Sequence, residues 1–556
     1  MNTTVSNNSS TTPSDTVDYA VQDLDHLGLV AGMVDELKIV ETIDSLIIQD
    51  HTQRYISVGL AVKAMILNGL GFVQRVLYLM PMFFMNKPLE RLLGRGITAD
   101  QLNDDTLGRA LDAIYKYGPG QLYSQLAAKA VKILGLNCKF GHLDSTSIHT
   151  DGVHNSDEEP QEGVIHITQG YSRDHRPDLN QVVLQLITEN QVGIPIRLSA
   201  LSGNSSDQTS FRETISNHIE QMKVDVGLQY VIADSALYSE ATLSELGEFG
   251  WITRVPETTT VAREIIQSIS GELMAEAGEK ELAYRALSTT YGGVRQRWLV
   301  VYTRSAHQRA LKTLRKHHIK QSNTDCKAFS TLKRMEFACE ADAQSALQAF
   351  TKKLTLTMIA DAQIIECPHF SKKGRPGKDQ QPVRISYHID GQLASRIEFH
   401  QQELQRKSSF IIATNELDEQ ALTHEEVIDL YTKGQQKVER GFRFLKDPLF
   451  MAAGLFLKSA KRIMALMMVM TLCLLVYSAI EYRIRKALQH EKKEFPDQLG
   501  KATQRPTARW VFQFFSGIRL LIVSKTQEIV LNINEHHHAL LALLGERYVS
   551  LYENSA

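Results

Sequence analysis

The sequence predicts an α/β protein with a helical N-terminal domain and a core interrupted by an insertion. Three observations predict it: helical periodicity before residue 136, short apolar runs alternating with helix-like ones from residue 137, and a turn-rich stretch that splits this pattern in two.

A chain of 556 residues is too long for one compact core, so two to four domains are expected. With 43% hydrophobic and 22% charged residues the composition is that of an ordinary globular protein. The formal net charge of −2 excludes bulk basicity as a sign of a polyanionic partner, so any such contact must come from local patches. Two runs supply them: His307–Lys320 (HQRALKTLRKHHIK) and Arg483–Lys493 (RIRKALQHEKK). The five cysteines are scattered, with no C-x-x-C pair and no disulfide framework, which fits a reducing cytoplasm. Residues 1–18 are polar and Ser/Thr-rich and read as a disordered tail, with neither the basic nor the apolar region of a signal peptide. The uncharged run Ile463–Ile480 sits at the lower length limit for a membrane span. It is solitary and Met-rich, and reads as a buried core helix.

Residues 19–136 form the N-terminal helical domain. Leu107, Leu111 and Ile114 recur at i, i+4 and i+7, with Asn103 or Asp104 as N-cap. Its role is open between DNA binding and dimerisation. In residues 137–256, Lys139–His149, Val182–Ile187 and Ile194–Leu198 read as strands, and Phe211–Val224 as a helix. Tyr230–Ala233 (strand), Ala241–Phe249 (helix) and Trp251–Val255 (strand) follow, which is the element order of an RNase H-like core. Residues 257–409 read as a β-rich insertion, with strands at Trp298–Thr303 and Val383–Ile389 and a turn at Gly292–Gly293. Helix-like runs stand at Gln308–Lys316 and Ala341–Leu356. The core resumes over residues 410–493, and residues 494–556 are a C-terminal segment with no assigned role.

Cutting a phosphodiester without a covalent protein intermediate requires an activated water or 3′-hydroxyl and charge relief on the leaving oxygen. Two divalent metals about 3.5–4 Å apart supply both. Mg²⁺ takes oxygen ligands, so a few convergent carboxylates suffice. Asp144 in the first core strand (HLDSTSIH), Asp234 at the end of YVIA, and Glu439 on a helix (GQQKVERGFRFLKDP) fit that need. Gln435, Glu439, Phe442 and Lys446 share one face of that helix. Lys446 lies about 10 Å along it from Glu439 at 1.5 Å per residue, a spacing suited to a neighbouring phosphate. Arg440 and Arg443 add positive charge.

With these residues in place the chain resembles bacterial insertion-sequence transposases of the DDE type, the group with a Y-x2-R-x3-E-x6-K glutamate helix. E-x6-K is matched by Glu439 and Lys446. Thr432 stands where the group has tyrosine and Gln435 where it has arginine. The stretches GYSRDHRPDLNQ (Gly170–Gln181) and GNSSD (Gly203–Asp207) also occur in similar sequences. The resemblance implies that Asp144, Asp234 and Glu439 are the metal-binding triad for two Mg²⁺ or Mn²⁺ ions. It further implies a long insertion between the second aspartate and the glutamate, and strand cleavage at element ends followed by attack of the 3′-hydroxyl on target DNA. The partner expected is double-stranded DNA, held by a homodimer in a synaptic complex and, in the cell, at the nucleoid. A nuclease of the same core without strand transfer, and an inactive DNA-binding derivative, are the alternatives.

Weaker signals are the G-R-P core of KKGRPGK, where Arg375 is a candidate minor-groove contact, and His536–His538, which reads as a surface run. His142 and His149 flank Asp144 and read as packing or hydrogen-bonding residues.

Overall fold

The computed structural model describes residues 19–49, 56–72, 76–150, 161–371, 381–447, 457–524 and 527–555. The contacts divide the chain into two units, one of residues 1–252 with 429–556 and one of residues 253–428.

The first unit opens with β1 (Tyr19–Asp23) and the helices α1 (Leu27–Glu36), α2 (Ile39–Leu46), α3 (Val58–Gly69), α4 (Met80–Phe84), α5 (Leu89–Leu93), α6 (Asp104–Tyr117) and α7 (Pro119–Leu134). The α6 start follows from its sequence: the Asn103 side chain accepts a hydrogen bond from Thr106 N at 3.0 Å. Leu107, Leu111 and Ile114 are fully buried on its apolar stripe.

A mixed sheet follows, made of β2 (Phe140–His149), β3 (Gln181–Glu189) and β4 (Pro195–Ser202), then α8 (Asp207–Val226), β5 (Tyr230–Ala233), α9 (Glu240–Leu246) and β6 (Gly250–Arg254). The strand order is β4-β3-β2-β5-β6. β2, β3 and β4 form an antiparallel meander, and β2 pairs with β5 in parallel. The meander turn is held by Glu189, whose buried carboxylate accepts from the backbone N–H groups of Gln191, Val192, Gly193 and Ile194 at 2.6–3.1 Å. Four backbone donors replace the water that burial takes from it.

The second unit holds α10 (Thr260–Ala277), β7 (Leu282–Tyr291), β8 (Val294–Thr303), α11 (Arg304–Lys333), α12 (Glu340–Thr351), β9 (Thr357–His369), β10 (Arg384–Ser395), α13 (Ile397–Ser408) and β11 (Ser409–Thr414). β7 and β8 are joined by the two-residue turn Gly292–Gly293, both with positive φ, as a tight hairpin with the native twist demands. Phe329, Leu332, Ala343 and Ile389 form a small separate core. The β-rich expectation for residues 257–409 is corrected here: helices α10–α13 contribute more of the described residues than strands β7–β10 do. The reason is α11. Only Gln308–Lys316 carries a readable helical pattern, while the helix continues through a polar, charge-rich stretch to Lys333.

The chain then runs through α14 (His424–Leu445) and α15 (Ala460–His490), β12 (Phe495–Pro496), β13 (Ala502–Thr503), α16 (Ala508–Phe514), β14 (Arg519–Val523), β15 (Gln527–Leu531), α17 (Glu535–Leu544) and α18 (Glu546–Leu551). β14 pairs with both β1 and β15, so the C-terminal segment closes onto the N-terminal helices. Glu36 fixes the junction, meeting Arg483 at 3.0 Å and the Tyr548 hydroxyl at 2.7 Å. α15 is the one helix among the described residues long and apolar enough to cross a membrane, yet 83% of its most apolar window is buried. α1, α3, α6, α7 and α17 pack around it, which makes it the central helix of the largest hydrophobic core.

Candidate active site

Parallel pairing of β2 with β5 ends at Leu143 opposite Ala233. The next residues are Asp144 and Asp234: Asp234 steps off the C-terminal end of β5, and Asp144 stands beside it within β2, still paired with Leu186 of β3, where β2 runs on past its shorter neighbour. Asp234 also caps the short turn that follows, accepting from Ala236 N at 2.9 Å.

Burial pushes Asp144 up to about 7, and the nearby charges of Asp234 and Asp207 push the same way, while the Arg173 guanidinium opposes them. Asp234 is likewise raised, chiefly by burial. Arg173 lies 3.4 Å from Asp144, 2.9 Å from the Ser145 hydroxyl and 2.5 Å from Asp207. The Ser145 hydroxyl also donates to Asp207. Arg173 and Asp207 come from GYSRDHRPDLNQ and GNSSD, so those stretches are two halves of one network behind the aspartates. Their leading glycines explain how they meet. A Cβ on Gly170 would overlap the Gly203 carbonyl, and one on Gly203 would overlap the carbonyls of Thr168 and Gln181. Sequence reasoning noted both stretches without a role. The signal lay in a glycine opening each, with an arginine soon after it in one stretch and an aspartate closing the other.

α14 lies along the same sheet face. A Cβ on Gly434 would overlap the His142 ring, so glycine lets the helix touch β2. At the other end, Lys446 Nζ is 2.7 Å from Asp174, which also lies 3.5 Å from His149 at the end of β2. Helix and strand therefore run in the same direction. From the Gly434–His142 contact, Glu439 is about 7.5 Å up the helix and Asp144 about 6.6 Å up the strand, so the two are level. His142 and Asp144, two apart, point to the same face. Glu439 shares a flank of α14 with Lys446, and its side chain is exposed.

Asp144 and Asp234 thus come together, and Glu439 stands apart from them on the neighbouring helix. Among the described residues no three His, Cys, Asp or Glu side chains converge closely enough to hold a metal ion. The pair nevertheless fits a hard divalent cation, because its donors are oxygens and one guanidinium leaves its negative charge under-compensated. Arg440 and Arg443 are exposed on α14. Thr432 and Gln435 are half-buried on it. Arg375 lies outside the described residues. His142 is buried, held at about 4 by desolvation, and bonds Asn190 at 2.9 Å, a packing role. His537 caps α17 and contacts the Phe514 carbonyl at 3.0 Å.

Fold and site together define a class: α/β proteins that bring two partly buried carboxylates together on adjacent strands of a central mixed sheet. Residues 140–476 match the family described as "Transposase DDE domain", more than half of the chain, and the chain belongs to that family. Residues 19–128 match a "Domain of unknown function (DUF4277)". The protein is a DDE transposase, an enzyme that cleaves DNA and transfers the cut strand, with DNA as partner and the divalent-metal dependence of its family. No curated protein matches the sequence. A solved structure, the cryo-EM structure of the piggyBac transposase synaptic complex with hairpin DNA, is 7% identical and has a TM-score of 0.37. The match covers 88% of this chain and 79% of that one, and is too remote to carry residue roles across.

Proposed function

We propose that Asp144, Asp234 and Glu439 form the catalytic carboxylate set of an insertion-sequence transposase, which frees the 3′ ends of its element and joins them to target DNA. The observation that carries this reading is the pair Asp144 and Asp234, each one residue beyond the point where the parallel strands β2 and β5 cease to pair with each other. The level position of Glu439 on α14 supports it.

Two Mg²⁺ or Mn²⁺ ions bound by these carboxylates would supply an activated water or 3′-hydroxyl and neutralise the leaving oxygen. The chain's own residues do the rest. Arg173 and Ser145 hold Asp144 and Asp207 in place through charge-assisted hydrogen bonds. Lys446 exchanges Asp174 for a phosphate beside the cut, Arg443 adds charge along the same helix, and Arg440 meets the DNA from the other flank. Closure of Glu439 onto the aspartates accompanies DNA binding, because apo active-site geometry tightens only in the substrate complex. Two ends must be held at once, so the working form is a homodimer, acting at the nucleoid in the cytoplasm.

The test is cleavage of labelled DNA that flanks the protein's own coding sequence, with Mg²⁺ or Mn²⁺ and with EDTA, for wild type and Glu439→Gln. Metal-dependent 3′-end release and joining, absent in the variant, is the expected result. Cleavage without joining would make it a nuclease, and binding without cleavage a DNA-binding derivative.

A further inference from the structure

On the flank of α14 away from Glu439, a recess of about 960 Å³ opens between α14, α15 and the segment that leads into α16. Seven cations line it against two carboxylates, Asp447 and Glu481, in a chain whose net charge is −2. Both carboxylates are already paired, Asp447 with Arg509 at 2.9 Å and Glu481 with Arg485 at 2.7 Å. Among the described residues Lys437 donates to the Asn190 carbonyl, and Arg440, Arg443 and Arg505 form no ion pair. Burial and the charges of Arg440 and Arg505 hold Arg485 below the usual guanidinium range, against the pull of Glu481. Phe444 and Tyr477 form an aromatic wall, their rings 4.6 Å apart.

We propose that this recess is a second nucleic-acid site, one that grips the sugar–phosphate backbone of the DNA strand a few nucleotides from the cut. An excess of unpaired cations beside aromatic rings is the composition of grooves that track a nucleic-acid strand. Position fixes which strand. Around the α14 axis Glu439 and Lys446 lie on one flank and Lys437, Arg440 and Phe444 on the other, with Arg443 on the crest between them. A strand whose scissile phosphate lies over Asp144 and Asp234 crosses that crest and continues into the recess. The α14 helix, about 10 Å across with its side chains, separates the two sites by a few phosphates. The strand assignment rests on the catalytic reading above, whereas the presence of a DNA-binding recess does not.

The experiment is titration of the full-length protein with fluorescent duplex and single-stranded DNA over a range of salt, for wild type and Arg440→Ala/Arg505→Ala. Neither side chain forms an ion pair among the described residues, so the variant should melt like wild type. Two lost phosphate contacts should flatten the slope of log K against log salt by about 1.8 for duplex, or about 1.4 for a single strand, and weaken binding at least tenfold at low salt. An unchanged slope and affinity in a folded variant overturns the proposal. So does a variant that changes only self-association, which would make the recess a protein-binding surface. If wild type cuts its DNA while the variant binds unchanged, the recess alone fails. If no DNA is cut yet the slope falls, the recess stands and the catalytic reading fails.

Discussion

Leu143 and Ala233 are the last residues at which β2 and β5 pair with each other, and the residue after each is an aspartate. The register of one parallel strand pair thereby sets two carboxylates side by side in a crevice that takes them partly out of water. That placement carries a cost to the fold, since burial raises both acids.

Asp144→Asn is therefore expected to abolish cleavage and at the same time to stabilise the protein. The folded-state value near 7 exceeds the unfolded one. Folding is thus favoured by this group below about pH 4, and that contribution is lost as pH rises through 7. At pH 8 the amide should be more stable by roughly 1–3 kcal/mol, because it keeps the shape without the buried charge. Thermal melting of both proteins at pH 5 and pH 8 checks this. A gain that does not grow with pH would mean that burial is not what the carboxylate opposes.

Glu439→Gln should separate the two effects. Its side chain is exposed and forms no ion pair among the described residues, so stability should stay within about 0.5 kcal/mol while cleavage disappears. Melting and a cleavage assay on one preparation are enough. Wild-type cleavage by this variant would remove Glu439 from the site.

β5 was legible as a short apolar run ending in an acid and was read with its observed bounds at Tyr230–Ala233, and β2 was legible as a run over Lys139–His149 with Asp144 inside it. α14 was legible through its helical spacing. The network behind the aspartates was not. Arg173 and Asp207 reach Asp144 and Ser145 from distant segments, and only the fold shows that Gly170 and Gly203 let those segments touch. The basic recess was hidden for a similar reason. Arg485 fell in a recognised basic run, but Arg505 and Arg509 belong to a C-terminal segment with no readable role, and the cations that line the recess with them include Lys437, Arg440 and Arg443 of α14.

Acid should weaken the fold through two buried histidines. His26, whose Nε2 contacts the Leu70 carbonyl at 2.7 Å and whose ring stacks on Phe512, is lowered to about 4, as is His142. The unfolded chain binds these protons near pH 6.5, so stability is present above that value and is lost as pH falls towards 4. Each contributes up to about 3 kcal/mol over that window. Asp144 acts in the opposite sense, so the contribution is read as the difference between wild type and His26→Gln in denaturant melts at pH 7.5 and pH 5. A variant that loses as much stability on acidification as wild type would rule out His26 as a source.

Lys446→Ala should weaken DNA binding without altering sequence preference. The ammonium meets Asp174 at 2.7 Å in the free protein, with about a quarter of its side chain exposed, so the ion pair itself adds little to stability. Replacement by phosphate would release one counterion, and the variant's salt slope should fall by about 0.9 on duplex DNA. Equal slopes for the two proteins would show that Lys446 stays with Asp174 when DNA binds.

Gly434→Ala tests whether α14 must lie against β2. A methyl group there would overlap the His142 ring and crowd the Asn190 side chain, and neither can move far. His142 is buried and bonded to Asn190, and the Asn190 carbonyl is held in turn by Lys437. The helix must therefore shift outward or the pair must break, at a cost of about 1–3 kcal/mol, more than the small gain in helix propensity returns. An outward shift also carries Glu439 and Lys446 away from Asp144 and Asp174. Cleavage should then fall much further than stability does, whereas DNA affinity, which also rests on other cations, should change less. His142→Ala in the same chain opens space for the methyl group. The double variant should recover cleavage relative to Gly434→Ala, and its failure to do so would mean that the contact fixes the fold of the strand and not the reach of the glutamate.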